Sequence, residues 1–334
     1  MIESREIRLK ARPRGEPRSD DFELARVQVP PPSGGQVQVR NRFISVDPYM
    51  RGRLSGRASF IAPFQLGAAM EGGAVGEVIA SAAQGFTPGD TVLSMFGWRE
   101  VFTATPEEAK LQRIETRGFS ASAFLGVLGL PGLAAYLGLM RIAGLQAGET
   151  AFVTAAAGAV GHVACQIARV RGARVIGSAG GPEKVRFLRA LGVDHVIDYR
   201  ASGDLTQALL QCAPAGIDVC LDNVGGAHLE AALVAARPRA RIALCGAIAM
   251  YRDPAQPSGL SLSQIIRKDL RLEGFMAPAH APQAALFLDD MQGWMTAGRM
   301  TGHETVFEGI EQAPAAFLQL FEGGNIGKML VRMT

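Results

Sequence analysis

A stretch of about 30 residues beginning at Glu149 constrains the fold more than any other part of the sequence. It opens with an apolar run, residues 151–154, of the kind that forms a buried parallel strand. A glycine turn, AAAGAVG, follows at residues 155–161, then a helical pattern to about residue 171 and a second apolar run at residues 174–177. Strand, glycine turn, helix and strand in this order predict a βαβ unit of the dinucleotide-binding type.

The turn suits a pyrophosphate because a helix N-terminus presents unpaired N–H groups and a positive dipole end to an anion. Small residues are needed there so that the backbone approaches the phosphates closely. The usual G-x-G-x-x-G pattern is altered here, since Ala156 stands in the first glycine position and only Gly158 and Gly161 hold the others. Taken alone, this turn is also compatible with a tight βα connection in an α/β enzyme of another kind.

The second half of the chain repeats an apolar run at intervals of 21 or 23 residues. The predicted strands centre on Phe152, Val175, Val196, Val219 and Ile242. Helical patterns fill the gaps at residues 158–171, 182–191, 204–211 and 226–236, and a sixth strand is predicted at residues 270–275. This βα alternation predicts an α/β fold with a doubly wound parallel sheet.

Residues 1 to about 120 have a different pattern, with short alternating strands separated by glycine and proline turns. Such a pattern predicts a small β-barrel or sandwich. We therefore predict a β domain at residues 1–125 and a dinucleotide-binding domain at residues 126–300. Residues 301–334 are predicted to return to the β domain through a short helix and a last strand.

The bulk composition excludes several classes of function. Hydrophobic residues make up 48% of the 334 residues and the formal net charge is +3, which disfavours disorder, nucleic-acid binding and anionic-membrane binding. The cysteines form no C-x-x-C pair, and the N-terminus has no apolar h-region, so a cytoplasmic protein with reduced thiols is expected. Residues 118–140 lack charge, but Pro131 and the glycines at 126, 129, 132 and 138 favour a buried segment over a membrane span.

The end of the second strand distinguishes the two nicotinamide cofactors. NAD enzymes usually carry Asp or Glu there to bind the ribose 2′-hydroxyl. Here the residues at 178–181 are Ser, Ala, Gly and Gly, so a 2′-phosphate would meet no like charge. Lys184 follows at the start of the next helix, although an ordinary surface lysine remains the alternative. Together these residues favour NADP(H) as the cofactor.

Eight segments have a pattern that is specific when they are taken together: VDPYMRGRL from Val46, AAMEGGAVGEVI from Ala68, LGLPGLAAYLGL from Leu128, AAAGAVG from Ala155, GPEKVRFLRALGVDHVIDY from Gly181, LDNVGG from Leu221, ARIALCGAIAMY from Ala240 and GGNIGKMLV from Gly323. With these segments the chain resembles the medium-chain dehydrogenase/reductases. Within them it resembles the zinc-independent NADP-dependent alkenal or double-bond reductases, a group that includes prostaglandin and curcumin reductases. The resemblance runs nearly end to end. It implies a GroES-like β-barrel domain on the substrate side, at residues 1–125, before the Rossmann domain, and a homodimer.

The resemblance also implies which residues meet the cofactor. The implied residues are Ala157, Gly158, Ala159 and Val160 at the pyrophosphate, Lys184 and Tyr199 at the 2′-phosphate, and Asn223, Cys245, Gly246, Ala247, Ile248, Tyr251, Phe275, Met276, Ala277 and Asn325 towards the nicotinamide end. Most of them follow a predicted strand end, where open α/β sheets bind ligands. One segment departs from the family, because MAPAHAPQ follows Phe275 where bulkier and aromatic residues are more usual.

A catalytic zinc is not expected, since zinc needs converging Cys, His or carboxylate ligands. The zinc-dependent relatives carry a ligand cysteine near the segment matched here by Val46, Asp47 and Pro48, and a ligand histidine where Met70 stands. The five histidines are scattered and form no H-E-x-x-H motif.

Reduction of an activated C=C bond is the reaction that the resemblance and the missing zinc ligands favour. Tyr251 is the preferred hydrogen-bond donor to the substrate oxygen, with a cofactor ribose hydroxyl and water as the alternative. Tyr49 is predicted to line the substrate pocket, or else to be a tyrosine at a domain interface. Two other functions stay open: an NADPH:quinone oxidoreductase of the same fold, and an NADPH-binding sensor without turnover.

Overall fold

The computed structural model describes residues 1–56, 61–252 and 259–334. The strands are β1 Ile2–Leu9, β2 Phe22–Val29, β3 Val37–Ser45, β4 Ala74–Ser81, β5 Thr91–Ser94, β6 Val101–Ala104, β7 Gln112–Arg113, β8 Thr150–Val153, β9 Arg174–Ala179, β10 His195–Asp198, β11 Ile217–Asp222, β12 Ala236–Leu244, β13 Arg271–Gly274, β14 Glu304–Glu308 and β15 Lys328–Arg332.

The α-helices are α1 Met50–Leu54, α2 Pro106–Ala109, α3 Leu130–Tyr136, α4 Gly161–Val170, α5 Pro182–Ala190, α6 Leu205–Cys212, α7 Gly226–Ala235, α8 Ile248–Arg252, α9 Leu262–Lys268, α10 Ala284–Thr296 and α11 Ala313–Glu322. Short 3₁₀ segments occupy Ser19–Asp21, Ala121–Leu125, Ala277–Gln283 and Ile310–Gln312, and a π-helix at Leu137–Ile142 continues α3.

The chain divides into two compact units. The first unit contains Met1–Leu125, Glu304–Asn325 and Met329–Thr334, and the second contains Gly126–His303 and Ile326–Lys328. Residues 301–303 and Ile326–Lys328 therefore cluster with the second unit, whereas the sequence analysis assigns the whole of 301–334 to the first. The roles assigned to the two domains stay predictions.

The second unit contains a six-stranded parallel sheet in the order β10-β9-β8-β11-β12-β13. The first strand along the chain, β8, is central, and the order reverses between it and β11. This is the doubly wound order of Rossmann folds. The predicted parallel sheet, its six strands and the helices between them are thus confirmed.

The parallel sheet buries one of its faces against two helices. One apolar side chain from each of five strands lies in a common core that residues of α6 and α7 also line. The side chains that form this layer are Phe152, Ile176, Ile197, Cys220 and Ile242. Burying a side chain of this size stabilises the fold by about 1.5–3 kcal/mol.

The first unit is built on a seven-stranded sheet with the order β14-β15-β3-β4-β5-β7, and β6 also pairs with β3. The pairs of β3 with β15, β4 and β6 are antiparallel. A separate ladder joins β1 and β2. Its core contains Trp98, whose ring lies 6.2 Å from that of Phe22 and 6.3 Å from that of Phe317. The predicted mainly β N-terminal domain is confirmed.

The uncharged stretch at residues 118–140 forms the short 3₁₀ segment Ala121–Leu125, then α3 and the start of the π-helix. Within the described ranges, no helix has both the length and the apolar character that crossing a bilayer requires.

Candidate functional site

The glycine turn lies between β8 and α4, and it is unusually tight. Ala155 has a left-handed backbone with φ of 47°, a conformation that costs a residue other than glycine on the order of 1 kcal/mol. A Cβ on Gly161 would lie 2.3 Å from Ala155 O, so only glycine fits at the start of α4. The third glycine of the fingerprint is therefore required by close packing within the turn.

The altered first position of the fingerprint also has a structural reason. Ala156 is buried, and its N–H donates to Ser178 O at 2.8 Å, which binds the turn to the end of β9. The Ala156 methyl group occupies space that a side chain at position 177 would need, because a Cβ on Gly177 would lie only 2.8 Å from it. The close approach of turn and strand is kept because glycine stands on the neighbouring strand instead of in the turn.

The loops that follow β9 and β10 lie against each other. A Cβ on Gly180 would lie 2.8 Å from Tyr199 Oη and 2.8 Å from Arg200 Nε, so both side chains cover the backbone of this loop. Asp198 Oδ1 accepts hydrogen bonds from Gly181 N–H at 3.0 Å and Arg200 N–H at 3.1 Å, which hold the loop in place. Burial and the charge of Arg200 lower the pKa of Lys184. Tyr199 and Arg200 thus lie against Gly180, and Lys184 is near enough to Arg200 for its charge to act on it.

His228 borders the same cluster from α7. Its ring lies 4.9 Å from the Tyr199 ring in an edge-on arrangement. The ring is buried, its Nε2 has no hydrogen-bond partner among the described residues, and burial lowers its pKa to about 4. A neutral imidazole therefore lies beside the phenol at neutral pH.

A buried carboxylate organises the ends of β8 and β11. Asp222 Oδ1 accepts from Thr154 Oγ1 at 2.7 Å and from Val224 N–H at 3.1 Å, and Oδ2 accepts from Gly225 N–H at 2.9 Å. Asn223 donates its N–H to Thr154 Oγ1 at 2.7 Å and its Nδ2–H to Thr154 O at 2.8 Å. Burial raises the pKa of Asp222, and these hydrogen bonds oppose that rise. Asn223 is consequently fixed at the strand ends.

The segment after β12 is anchored to that network. Cys245 N–H and Gly246 N–H donate to Asp222 O at 2.8 and 3.1 Å, and Ile248 N–H donates to Asn223 O at 3.3 Å. A Cβ on Gly246 would lie 3.1 Å from Asn223 O, so this approach also favours glycine. Asn223, Cys245, Gly246 and Ile248 are therefore brought together as a group. Burial raises the pKa of the Cys245 thiol to about 12 and keeps it protonated at neutral pH.

Tyr251 lies in α8, which begins three residues after Cys245. Its N–H donates to Ala247 O at 3.1 Å, and 37% of its surface is exposed. Burial of the phenol raises the pKa of Tyr251, and a hydrogen bond with the Ala247 backbone partly offsets this. The phenol is therefore a protonated, accessible hydrogen-bond donor at neutral pH.

Phe275 follows β13 and packs inward. It belongs to an apolar cluster with Ala277, Cys245 and Val160, and a Cβ on Gly138 of the π-helix would lie 3.1 Å from its ring. The absence of a side chain at Gly138 makes room for the ring. Met276, between Phe275 and Ala277, is 48% exposed instead. The cluster thus connects the end of β13 with the glycine turn.

Two of the predicted site residues, Tyr49 and Asn325, belong to the first unit. Tyr49 packs against the apolar core of that unit, and burial and the nearby Asp47 raise its pKa well above the ordinary value. Asn325 is buried and directly precedes Ile326–Lys328.

The positions that carry zinc ligands in the zinc-dependent relatives have other surroundings here. Met70 is fully buried in the core of the first unit, and Glu71 binds the buried guanidinium of Arg53 at 2.7 Å. In the part of the chain that the structure describes, no three His, Cys, Asp or Glu side chains are grouped so as to hold a metal ion.

Comparisons with known proteins match almost the whole chain. Residues 5–114 match the family model for the N-terminal domain of oxidoreductases, and residues 159–289 match that for zinc-binding dehydrogenases. Prostaglandin reductase 1 of Rattus norvegicus is 38% identical over 339 residues, covering 99% of this chain and 100% of the relative. The NADP(+)-dependent 2-alkenal reductase of Nicotiana tabacum is 36% identical over 338 residues, covering 100% and 98%.

A solved structure is similar over the same length. CurA from Vibrio vulnificus in complex with NADPH is 36% identical, with a TM-score of 0.92 and coverage of 99% of both chains. The chain belongs to the medium-chain dehydrogenase/reductases, among the NADP-dependent double-bond reductases. The family and the fold class predicted from sequence are thereby confirmed.

Sequence reasoning missed several residues of this reductase that the structure places at the glycine turn or near Tyr199. They are His162, Arg200, His228, His303 and Gly327. Arg200 is adjacent to Tyr199 in the sequence and was the one that charge alone would have indicated. His228, His303 and Gly327 meet the site through contacts between distant parts of the chain, whereas His162 lies one helical turn after Gly158 and looks like an ordinary core residue in the sequence.

Proposed function

We propose that this chain reduces the activated C=C bond of α,β-unsaturated aldehydes and ketones with NADPH, by hydride transfer to the β-carbon. The observation that carries the proposal is the presence of two cations at the end of β9. Arg200 and Tyr199 lie against Gly180, and the charge of Arg200 acts on Lys184. An NAD enzyme usually has a carboxylate at this strand end. Two cations and a phenol suit a ribose 2′-phosphate. The alkene as the reduced group is supported by the names of the relatives, prostaglandin reductase and 2-alkenal reductase.

The residues present fit the cofactor. The N–H groups of the turn that leads into α4, with Ala159 among them, would receive the pyrophosphate at the N-terminus of this helix. Ala157 to Val160 would lie along it, and Lys184, Tyr199 and Arg200 would hold the 2′-phosphate. Asn223, the segment Cys245–Ile248, Phe275–Ala277 and Asn325 are proposed for the nicotinamide half.

When bound, the nicotinamide would supply the hydride that is added to the β-carbon, and a proton would then be added at the α-carbon. Tyr251 is proposed to donate a hydrogen bond to the carbonyl oxygen of the substrate, where negative charge develops as the hydride arrives. Its raised pKa keeps the proton on the phenol at neutral pH, so that the group acts as a donor. A ribose hydroxyl with water is the alternative donor.

We further propose that the reaction needs no zinc. The support is the chemistry of the residues at the ligand positions of the zinc-dependent relatives: Met70 is an apolar core residue, and the carboxylate of Glu71 is engaged by Arg53. A chelator should leave the rate unchanged, and restoration of a chelator-treated enzyme by zinc would contradict the proposal.

We also propose a homodimer, because the parallel sheet ends in an edge strand beside exposed apolar side chains. In the described residues β13 is the last strand of the six-stranded sheet, and the neighbouring α9 exposes Leu262 (69%) and Ile266 (78%). An antiparallel pairing about a two-fold axis at Leu272 would set Arg271 opposite Glu273 of the partner subunit. Reversal of charge at Glu273 should therefore weaken the dimer, which sedimentation would detect.

A cytoplasmic location is also part of the proposal. Its support is that all four cysteines are free thiols and that Cys165 and Cys220 are buried, as in proteins of reducing compartments.

The test is an acceptor panel with purified enzyme. NADPH should be oxidised with an α,β-unsaturated ketone and at most slowly with the saturated ketone of the same skeleton. Equal rates with both would contradict reduction of the C=C bond. Faster turnover with quinones would support the quinone reductase instead, and binding of NADPH without any turnover would support the sensor.

A further inference from the structure

The buried side chain of His162 is hydrogen-bonded to the backbone of the glycine turn. Its Nδ1 lies 2.8 Å from Gly158 O, and its own N–H donates to the same oxygen at 3.1 Å. A carbonyl oxygen only accepts, so Nδ1 carries the proton. The other nitrogen, Nε2, accepts the His303 N–H at 3.3 Å. The hydrogen-bond partners thus define a neutral imidazole with one donor and one acceptor.

The segment that contains His303 closes a ring of hydrogen bonds around the turn. Lys328 N–H donates to His303 O at 2.8 Å, and Gly327 N–H donates to Ala157 O at 2.8 Å. Gly327 forms a parallel bridge with Gly158, has φ of 70°, and a Cβ on it would lie 2.0 Å from His303 O. Two successive carbonyls of the turn therefore have partners within the protein: Ala157 O accepts from Gly327 N–H, and Gly158 O accepts from His162.

Fixing a carbonyl also fixes the N–H of the next residue. In a planar trans peptide the C=O and the N–H point in opposite directions. With Gly158 O held against His162, the Ala159 N–H is directed away from the helix, towards the side on which an anion binds a helix N-terminus. The orientation of this donor thus depends on the hydrogen bond from the imidazole.

The turn needs such support because it is strained. Ala155 is held in the left-handed region at φ 47°, and a backbone of this kind persists only where its surroundings over-determine it. His162 is 1% exposed, and its ring is flanked by His303 at 5.9 Å and Phe187 at 6.4 Å. Gln166 fixes the approach of this segment by exchanging two hydrogen bonds, of 2.9 and 3.0 Å, with the backbone of Thr301.

We propose that His162 is a positioning residue for the pyrophosphate: its Nδ1–H holds the Gly158 carbonyl, and so aims the Ala159 N–H at the cofactor. Its Nε2 has a different role, which is to tie the turn to His303. This inference rests on the proposed binding of NADPH. It separates the two nitrogens, because only the Nδ1 hydrogen bond should matter for affinity.

Two variants divide these roles. In His162→Asn the amide nitrogen stands near the place of Nδ1 and can donate to Gly158 O, whereas in His162→Gln the amide oxygen reaches the place of Nε2 and can accept from His303 N–H. The dissociation constant of NADPH is measured by fluorescence titration. Adenosine 2′-monophosphate is the control ligand, since it has the 2′-phosphate but no pyrophosphate. The unfolding temperature of each variant is recorded in parallel.

We expect His162→Gln to weaken NADPH binding about tenfold and His162→Asn to stay within about threefold of the wild type, with 2′-monophosphate binding unchanged in both. The inference would be overturned if both variants bound NADPH with the same affinity, or if His162→Asn lost more affinity for NADPH than His162→Gln. Wild-type protein that does not bind NADPH would instead overturn the proposed function.

A second measurement needs no variant. Long-range ¹H–¹⁵N spectra of the wild-type protein labelled at histidine report which ring nitrogen carries the proton. The Nδ1–H form of His162 is expected at neutral pH with and without NADPH. An Nε2–H form would overturn the inference even if the variants failed to fold.

Discussion

Thr154 Oγ1 donates a hydrogen bond to Asp222 Oδ1 at 2.7 Å and so joins the ends of β8 and β11. The same oxygen accepts the Asn223 N–H at 2.7 Å. The Thr154 hydroxyl therefore binds both the Asp222 carboxylate and the Asn223 backbone N–H, just before α7. Because the sheet order reverses between these two strands, the bond lies where a doubly wound sheet binds its ligand.

Replacing Thr154 with Val should remove both hydrogen bonds and leave a buried carboxylate poorly satisfied. We expect the free energy of unfolding to fall by about 1–3 kcal/mol, the cost of an unsatisfied buried polar group. The KM for NADPH should rise as Asn223 loses its support. Urea denaturation and steady-state kinetics measure the two effects. Thr154→Ser, which keeps the hydroxyl, is the control and should stay close to the wild type.

Lys184→Ala should weaken NADPH binding by about 1.5–3 kcal/mol, the range for a hydrogen bond to a charged group, while NADH binding changes little. Arg200→Ala should act in the same direction. Arg189→Ala removes a cation from the same helix, α5, and is the matched control. Comparable weakening of NADPH in all three variants would indicate a general charge effect and remove Lys184 from the site.

Tyr251→Phe should lower kcat more than it raises KM, because a donor that acts on developing charge contributes mainly in the transition state. The loss should be on the order of tenfold to a thousandfold, as for other single donors to an oxyanion. Steady-state kinetics with an α,β-unsaturated ketone measure it. A variant that turns over at the wild-type rate would leave the ribose hydroxyl and water as the donor.

Stability should decrease in mild acid because of His162. Burial lowers its folded-state pKa to about 4, whereas the pKa of an ordinary histidine lies near 6.5. Between these values the unfolded chain binds a proton that the folded chain does not, so the free energy of unfolding falls as the pH falls through this window. The full loss is about 3 kcal/mol. Urea denaturation from pH 7.5 to pH 4.5 should show a shallower decline in His162→Asn than in the wild type.

Gly327→Ala should be severely destabilising. Its φ of 70° and the 2.0 Å that would separate a Cβ from His303 O leave no room for a side chain. Gly298 has a similar φ of 67° but open space, so Gly298→Ala is the control that isolates the conformational cost, about 1 kcal/mol. Thermal unfolding of both variants should show the larger loss for Gly327→Ala. A loss no greater than that of the control would contradict the close packing of residue 327.

Much of this fold was predictable because its pattern is local. The runs around Phe152, Val175, Val196, Val219 and Ile242 each become a strand of one sheet, since their spacing leaves room for a helix between neighbours. The start of α5 was likewise predictable at Pro182, because proline is favoured at the first position of a helix.

The site was predictable in part, for a physical reason. The turn at Gly158 and the loop before Lys184 have local signatures of small residues and charge. His162 has none, because one histidine in an apolar helix is usually an ordinary core residue. Its neutral form with the proton on Nδ1 is defined in part by a backbone N–H that is 141 residues away in sequence. The hydrogen bond from Gly327 to Ala157 is equally invisible, because glycine–glycine bridges leave no side-chain pattern.

That last contact has a consequence for how the chain is made. The turn at residues 155–161 is bound by the backbone of Gly327, which is made long after it. During synthesis the Ala157 carbonyl therefore stays without this partner until the segment Ile326–Lys328 has emerged from the ribosome. A chain with this topology completes the hydrogen bonds of an early turn only when a much later segment folds against it.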